Sequence, residues 1–410
     1  MKLTKTACAL ASAVGVIGAG AQVRAQGATP PCSDTTAFPN PVYMAGSSAF
    51  EPTLARLALK LAAQTPPVTV IYKTSASCDG ANVIVSAGPL TGNADYYAPN
   101  PAISATSPLP YVIKNCTLDP DHPTALIGVA DVAFQTCIGT PPPVTIGEYT
   151  GPIQAMLFVV PAANKTTTAI SAEQAAAIYG CGVNSGVPPF TDITAIQQRN
   201  STSGTQRMIA AYIGVDPTAW QGNQNSKSGD MVNSLLAVTT SSKAIGILAA
   251  DVYASPPNPT NLNMLAFRGF NQTKAYYADS APGIFDKKNV RDGHYMIQGP
   301  LHFFTTLTAG QPTAQAKQML DWLQGNGVLD PANPNAYIDL VTAAGAVPNC
   351  AMKVRRDVDG GYLTACTPAV SCGCYFETVA TKTTPAGCKP CTSNADCTTA
   401  GTTCQTGYCE

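Results

Sequence analysis

Four short apolar runs, at residues 68–72, 127–134, 156–160 and 244–248, recur along the chain with capped helix patterns set between them. That alternation constrains the fold most, because strands that alternate with helices bury their apolar faces by layering helices on a sheet. The expected class is α/β with largely parallel sheets. Met156-Leu-Phe-Val-Val160 is apolar throughout, the pattern of a strand covered on both faces. In such sheets ligands sit beyond the carboxyl ends of strands, at the N-termini of the helices that follow.

The helices carry their own start and stop signals. Ser48 and Glu51 form a capping-box pattern ahead of Leu54, Leu57, Ala58 and Leu61, and Pro66-Pro67 end that helix. Ser171 and Gln174 repeat the pattern for a helix ending near Gly180. Met208, Ile209, Tyr212 and Ile213 recur at helical spacing, with Gly214 where the helix would stop. Ser228-Gly229 opens another helix through Leu236, and one more spans about 313–324, closed by Gly325. Residues 75–80 read as a loop, followed by a helix or a strand over 81–86. The stretch 87–124, rich in Pro, Asn, Thr and Tyr, reads as an inserted loop or hairpin carrying Cys116.

Both termini bear on where the protein works. Lys2 and Lys5 precede an apolar, small-residue run over 7–21 and Val23-Arg-Ala25, the pattern of a secretory signal peptide cut after Ala25. Cys32 follows Thr-Pro-Pro, so no lipid-attachment motif is present, and no later run is long enough to span a bilayer. The chain is expected to be exported, to a periplasm or the extracellular space. Of its 15 cysteines Cys8 leaves with the signal peptide, and the even remainder points to disulfides. Cys366, Cys372, Cys374, Cys388, Cys391, Cys397, Cys404 and Cys409 crowd a C-terminal stretch with few large apolar side chains, which must be stapled. Zinc at Cys388-x2-Cys391 is disfavoured, because the tail has no histidine and the compartment is oxidising.

Composition excludes several function classes. Only 11% of residues are charged, and the net charge of −1 falls to about −4 once three basic signal-peptide residues are removed. No basic stripe can meet a nucleic acid. His122, His294 and His302 are the three histidines, with no Gly-x-Ser-x-Gly elbow and no His-Glu-x2-His motif. A hydrolase, a catalytic residue, a metal or a cofactor therefore has no support.

The binding chemistry concentrates in Arg199-Asn-Ser-Thr-Ser203-Gly204-Thr205. A helix N-terminus offers free N–H groups and partial positive charge, small residues let them reach a ligand, and an arginine forks two oxygens. The spacing reads as an oxyanion cradle. With Gly46-Ser47-Ser48-Ala49-Phe50, Ser75-Ala-Ser77-Cys78-Asp79-Gly80 and Gly128-Val-Ala-Asp131, it resembles the phosphate-binding subunit of bacterial phosphate ABC transporters, a type II periplasmic binding protein family. The segment from Val290-Arg-Asp-Gly-His-Tyr295 to Gly299-Pro300-Leu301 is similar to that family's return crossover. Leu126, Ala130 and Ser201 depart from its pattern, standing where Asp, Ser and an acidic residue are usual.

The resemblance implies an α/β, two-lobed type II fold with a hinge, plus a small disulfide-rich C-terminal module. It divides the chain into signal peptide 1–25, leader 26–40, lobe one 41–150 with an insertion near 87–124, lobe two 151–255, return crossover and completion of lobe one 256–348, and Cys-rich disulfide module 349–410. The ligand-binding residues it implies are Ser48, Ala49, Ser77, Asp131, Arg199, Ser203, Gly204 and Thr205, with Arg199 pairing both Asp131 and the ligand. Monohydrogen phosphate can donate its O–H to Asp131, whereas sulfate cannot, so Asp131 favours phosphate. The implied partners are phosphate or a related oxyanion, an ABC permease, and a cell-surface partner of the cysteine-rich tail. The alternative is a surface-associated adhesion or matrix protein that uses the binding fold and the tail.

Overall fold

A computed structural model describes residues 29–104, 108–119, 121 and 123–410. The expected signal peptide and His122 lie outside the described residues. The chain first lays down β1 (Pro41–Ser47), α1 (Glu51–Ala62), β2 (Thr69–Ser75) and α2 (Ser77–Ser86). A hairpin of β3 (Asn93–Pro99) and β4 (Tyr111–Thr117) follows, then β5 (Ile127–Ala130), α3 (Phe134–Ile138) and the long β6 (Ile146–Pro161). Next come β7 (Ala169–Ser171), α4 (Ala172–Cys181), β8 (Gln197–Arg199), α5 (Gly204–Ile213), β9 (Asn223–Asn225), α6 (Ser228–Ala237), β10 (Gly246–Ala249) and α7 (Ala250–Ala254). The chain returns through α8 (Asn258–Asn261), β11 (Leu262–Met264), β12 (Ala266–Arg268), α9 (Lys288–Arg291), β13 (Gln298–Thr306), α10 (Ala314–Gln324) and α11 (Ala336–Ala344). The tail adds the hairpin β14 (Val354–Arg355) and β15 (Thr364–Ala365), then α12 (Gly373–Thr381) and the hairpin β16 (Cys404–Gln405) and β17 (Tyr408–Cys409).

The main sheet runs β10-β6-β13-β5-β1-β2-β3-β4, with β11 also on β6. Only β1–β2 and β1–β5 within it are parallel, so the sheet is mixed and not largely parallel. The return strand β13 enters between β5 and β6 and runs against both, and the inserted hairpin adds two antiparallel strands at the edge. An apolar run announces a strand but not its direction, which the connections decide.

Two apolar cores flank this sheet. One gathers Met44, Leu54, Tyr72, Val129, Phe303 and Leu320. The other gathers Phe158, Ile178, Met208, Ile209, Leu235 and Ile247. Strand β6 serves both, pairing with β13 as far as Ala155 and with β10 from Met156 to Val159. This continuous strand joins the two lobes by crossing from one core to the other.

Local differences from the sequence reading are informative. The Ser171–Gln174 capping box forms, and α5 ends at Gly214 in the left-handed conformation, as expected. The Ser48–Glu51 box does not form: Phe50 is the N-cap of α1, and no side chain caps it. Helix α2 starts at Ser77, inside the stretch expected to be loop. The insertion is a hairpin whose Cys116 is bonded to Cys32 of the leader.

The remaining disulfides are Cys78–Cys137, Cys350–Cys372, Cys374–Cys388, Cys391–Cys404 and Cys397–Cys409. The even cysteine count does not close into bridges throughout, because Cys181 and Cys366 stay as thiols. Cys181 ends α4 at the surface, and Cys366 follows β15 with its N–H on the Lys353 carbonyl. The tail is also less detached than its composition implies. Phe376 of α12 is buried in the second lobe's core under the Arg291 guanidinium, 5.1 Å from its ring.

Candidate functional site

The structure brings the eight residues singled out in the sequence to one place, where the lobes face each other. Ser48 and Ala49 follow β1, Ser77 opens α2, and Asp131 directly follows β5, all on the first lobe. Arg199 ends β8, and Ser203, Gly204 and Thr205 form the N-terminus of α5, all on the second. Each follows a strand end or opens a helix, where the α/β grammar places ligand groups. Their polar atoms are not solvated: Ser48, Ser77, Asp131, Arg199, Ser203 and Thr205 are all buried.

Asp131 organises the first-lobe side. Its Oδ1 accepts the Ser47 hydroxyl, and its Oδ2 accepts Ser77 Oγ at 3.0 Å and, more distantly, Thr205 Oγ1 at 3.5 Å. Burial pushes its carboxyl up, while the hydroxyls of Ser47 and Ser77 and the Arg199 charge hold it down. Ala49 turns its N–H onto Ser47 Oγ at 3.1 Å.

Arg199 organises the opposite side. Its Nε donates to the Asn225 carbonyl at 3.2 Å and Nη1 to Ser228 Oγ at 2.9 Å. Nη2 donates to Ser48 Oγ at 3.3 Å and to the Ser226 carbonyl at 2.9 Å. Every one of these partners is neutral. The expected direct pairing with Asp131 is absent among the described residues, and that carboxylate acts on Arg199 through space. Burial lowers the guanidinium to about 10, with Asp131 and Asp230 pulling the other way.

Hydrogen bonds cross between the lobes. The Gly204 N–H donates to Ser77 Oγ at 3.0 Å, and the Cys78 N–H to the Thr202 carbonyl at 3.0 Å. The Ser228 N–H donates to Ser48 Oγ at 3.1 Å. Gly204 is where the approach is tightest: a Cβ there would lie 2.5 Å from Ser77 Oγ and 2.8 Å from Asp131 Cβ. Ser203 keeps its capping role, accepting the Gln206 N–H at 3.5 Å.

Sequence reasoning missed four buried participants: Ser47, Ser228, Gln154 and Asp251. Ser228 was legible as a helix start after a polar stretch, the same grammar as Ser203, but its place opposite Ser48 depends on lobe closure. Gln154 Nε2 donates to Asp251 Oδ2 at 2.6 Å and to the Ala49 carbonyl at 3.4 Å, tying the hinge strand to the Ser48 loop. Burial, with the Asp131 charge adding to it, pushes the Asp251 carboxyl up.

A protein described as a phosphate ABC transporter substrate-binding protein, from Clostridium perfringens with bound phosphate, is 13% identical at a TM-score of 0.50. The match covers 75% of this chain and 99% of that one. An ABC-type phosphate transport receptor from Vibrio cholerae is 14% identical at a TM-score of 0.44, over 75% of this chain and 99% of its own. No protein-family model matches the chain, and neither does any curated protein. The first likeness shows the fold: a two-lobed α/β architecture like that of the matched substrate-binding protein. The match leaves a quarter of this chain uncovered.

Proposed function

We propose that this protein is an exported binding protein that captures an oxyanion, inorganic phosphate above all, between its lobes and delivers it to an ABC permease. The observation that carries this reading is Arg199, a buried guanidinium whose hydrogen-bond partners are all neutral. A buried charge without a bonded counter-charge is costly, and an anion accepted between the lobes supplies one. Helices α5 and α6 each turn a first N–H onto a serine hydroxyl of the facing lobe, Ser77 and Ser48, and helix N-termini favour negative charge.

In this reading the anion enters when the lobes part and takes over the donors that now bridge them. Arg199, the Gly204 N–H and the hydroxyls of Ser48, Ser77, Ser203 and Thr205 would turn to its oxygens, joined by the Ala49 N–H. Asp131 would accept the O–H of monohydrogen phosphate. Sulfate carries no such proton and would meet the carboxylate as a like charge. The work is binding and release, with no bond made or broken.

Calorimetric titration with inorganic phosphate tests the assignment residue by residue. Arg199→Ala should weaken binding by roughly a hundredfold, the loss expected when charge-assisted hydrogen bonds are removed. Lys165→Ala, at an exposed position away from the site, should leave binding unchanged. Asp131→Asn should narrow the preference for phosphate over sulfate by tenfold or more, since an amide no longer repels the fully ionised anion. Equal losses from Arg199→Ala and Lys165→Ala would remove the site from consideration.

A further inference from the structure

We propose that the groove between α1 and α11 is a second binding site, for a small molecule with an apolar body and one carboxylate. Arg56, Leu59 and Lys60 line it from one face of α1, and Ala336, Leu340 and Ala343 from the facing side of α11. The space is about 350 Å³, within the range of small-ligand clefts. It shares no residue with the Ser48–Arg199 constellation.

The charged groups around this groove are not equally committed. Lys60 Nζ is paired with Asp330 Oδ2 at 3.1 Å. Asp339 accepts the Tyr375 hydroxyl at 2.8 Å and Asn333 Nδ2 at 2.7 Å. Arg56 is the exception. Its Nε and Nη1 are closed off from solvent and bond no group, while the guanidinium sits 5.7 Å from the centre of the Tyr111 ring. Stacking on an aromatic face steadies a cation but satisfies none of its N–H donors.

A guanidinium stays protonated at any physiological pH, so it requires an acceptor that carries charge. Those two nitrogens are covered in this structure, so the side chain must turn toward the groove to use them, and a carboxylate then matches its fork with two oxygens. The walls decide the rest of the ligand. Leu59, Leu340 and the two alanines reward an acyl or aromatic body, whereas a bare inorganic anion would lose its hydration against them and gain no apolar contact. The site is therefore chemically distinct from an oxyanion cradle, which surrounds its ligand with hydroxyls and backbone N–H groups.

Calorimetric titration of the full-length protein with sodium octanoate, below its micellar range, and with 1-octanol tests the assignment. Octanoate should bind saturably at one molecule per chain, at least tenfold tighter than the alcohol. Arg56→Leu should lose that preference and weaken octanoate binding by tenfold or more. Should that variant fail to fold, Ala343→Phe fills the groove from its exposed edge and should abolish octanoate binding while leaving phosphate binding as in wild type. No saturable octanoate binding, equal binding of acid and alcohol, or undiminished binding in the folded variants would each overturn the proposal.

Discussion

At Gly204 the two lobes approach so closely that a single methyl group decides whether they can close. A Cβ at this position would overlap Ser77 Oγ and crowd Asp131. Gly204→Ala should therefore leave the circular dichroism spectrum and melting temperature near those of wild type but weaken phosphate binding by tenfold or more. Wild-type affinity in that variant would show that binding does not need this closure. Glu51 gives a second residue-level expectation. Burial pushes its carboxyl up to about 7, Asp95 adds to the rise, and Lys227 of the other lobe opposes it. A carboxyl that holds its proton more tightly folded than unfolded destabilises the fold as pH climbs. The penalty is absent below about 4.5, grows up to about 7 and then levels off, on the order of 3 kcal/mol. Glu51→Gln should thus melt higher than wild type at pH 8 and together with it at pH 4.5. At this scale the sequence was a good guide to residue type, since hydroxyls, glycine and arginine after strand ends announce anion chemistry. Only the capping reading of Ser48, whose spacing to Glu51 suits a helix cap, failed. Its hydroxyl instead accepts from Arg199 and Ser228 of the facing lobe, a partner no local pattern contains.

Among the elements, the hairpin of β14 and β15 does the least expected thing. Between its strands, Asp359 Oδ2 accepts the Ala133 N–H at 2.7 Å and Thr136 Oγ1 at 2.6 Å, two and five residues beyond Asp131 on the first lobe. On the second lobe, Arg356 lies 5.3 Å from the centre of the Tyr212 ring of α5 and donates to the Met296 carbonyl at 2.8 Å. The hairpin thus straps the lobes together beside the site. Arg207 of α5 makes a parallel link, donating to the Thr136 carbonyl at 2.6 Å. Asp359→Ala removes both charge-assisted hydrogen bonds and should speed phosphate release about tenfold in a stopped-flow experiment. An unchanged release rate would make the hairpin a bystander. The helices and their ends were largely legible, because caps and glycine stops are local chemistry. Strand direction was not, and neither was the length of β6, since only its apolar second half stands out in the sequence.

On the scale of the whole molecule, the disulfides hold together parts that apolar contact alone holds weakly. Cys32–Cys116 fastens the leader to the inserted hairpin, and Cys350–Cys372 ties the start of the tail to the N-terminus of α12. Replacing Cys32 and Cys116 with alanine should cost about 4–5 kcal/mol of stability, the loop-closure value for a span of 84 residues, read as a lower midpoint in denaturant. The cysteine count announced such bridges but could not give their pairing or leave Cys181 and Cys366 aside, because pairing is set by distances in the folded chain. Among the described residues no helix is long and apolar enough to cross a membrane. The mixed sheet, the two large cores and the crossing strand β6 together make a pair of lobes, which in the proposed function an oxyanion closes. Equilibrium dialysis of the folded protein against labelled phosphate, with and without tenfold excess sulfate, measures this directly. The account predicts one phosphate bound per chain, undiminished by the sulfate. Absence of bound phosphate at millimolar concentration, or its full displacement by sulfate, would contradict it.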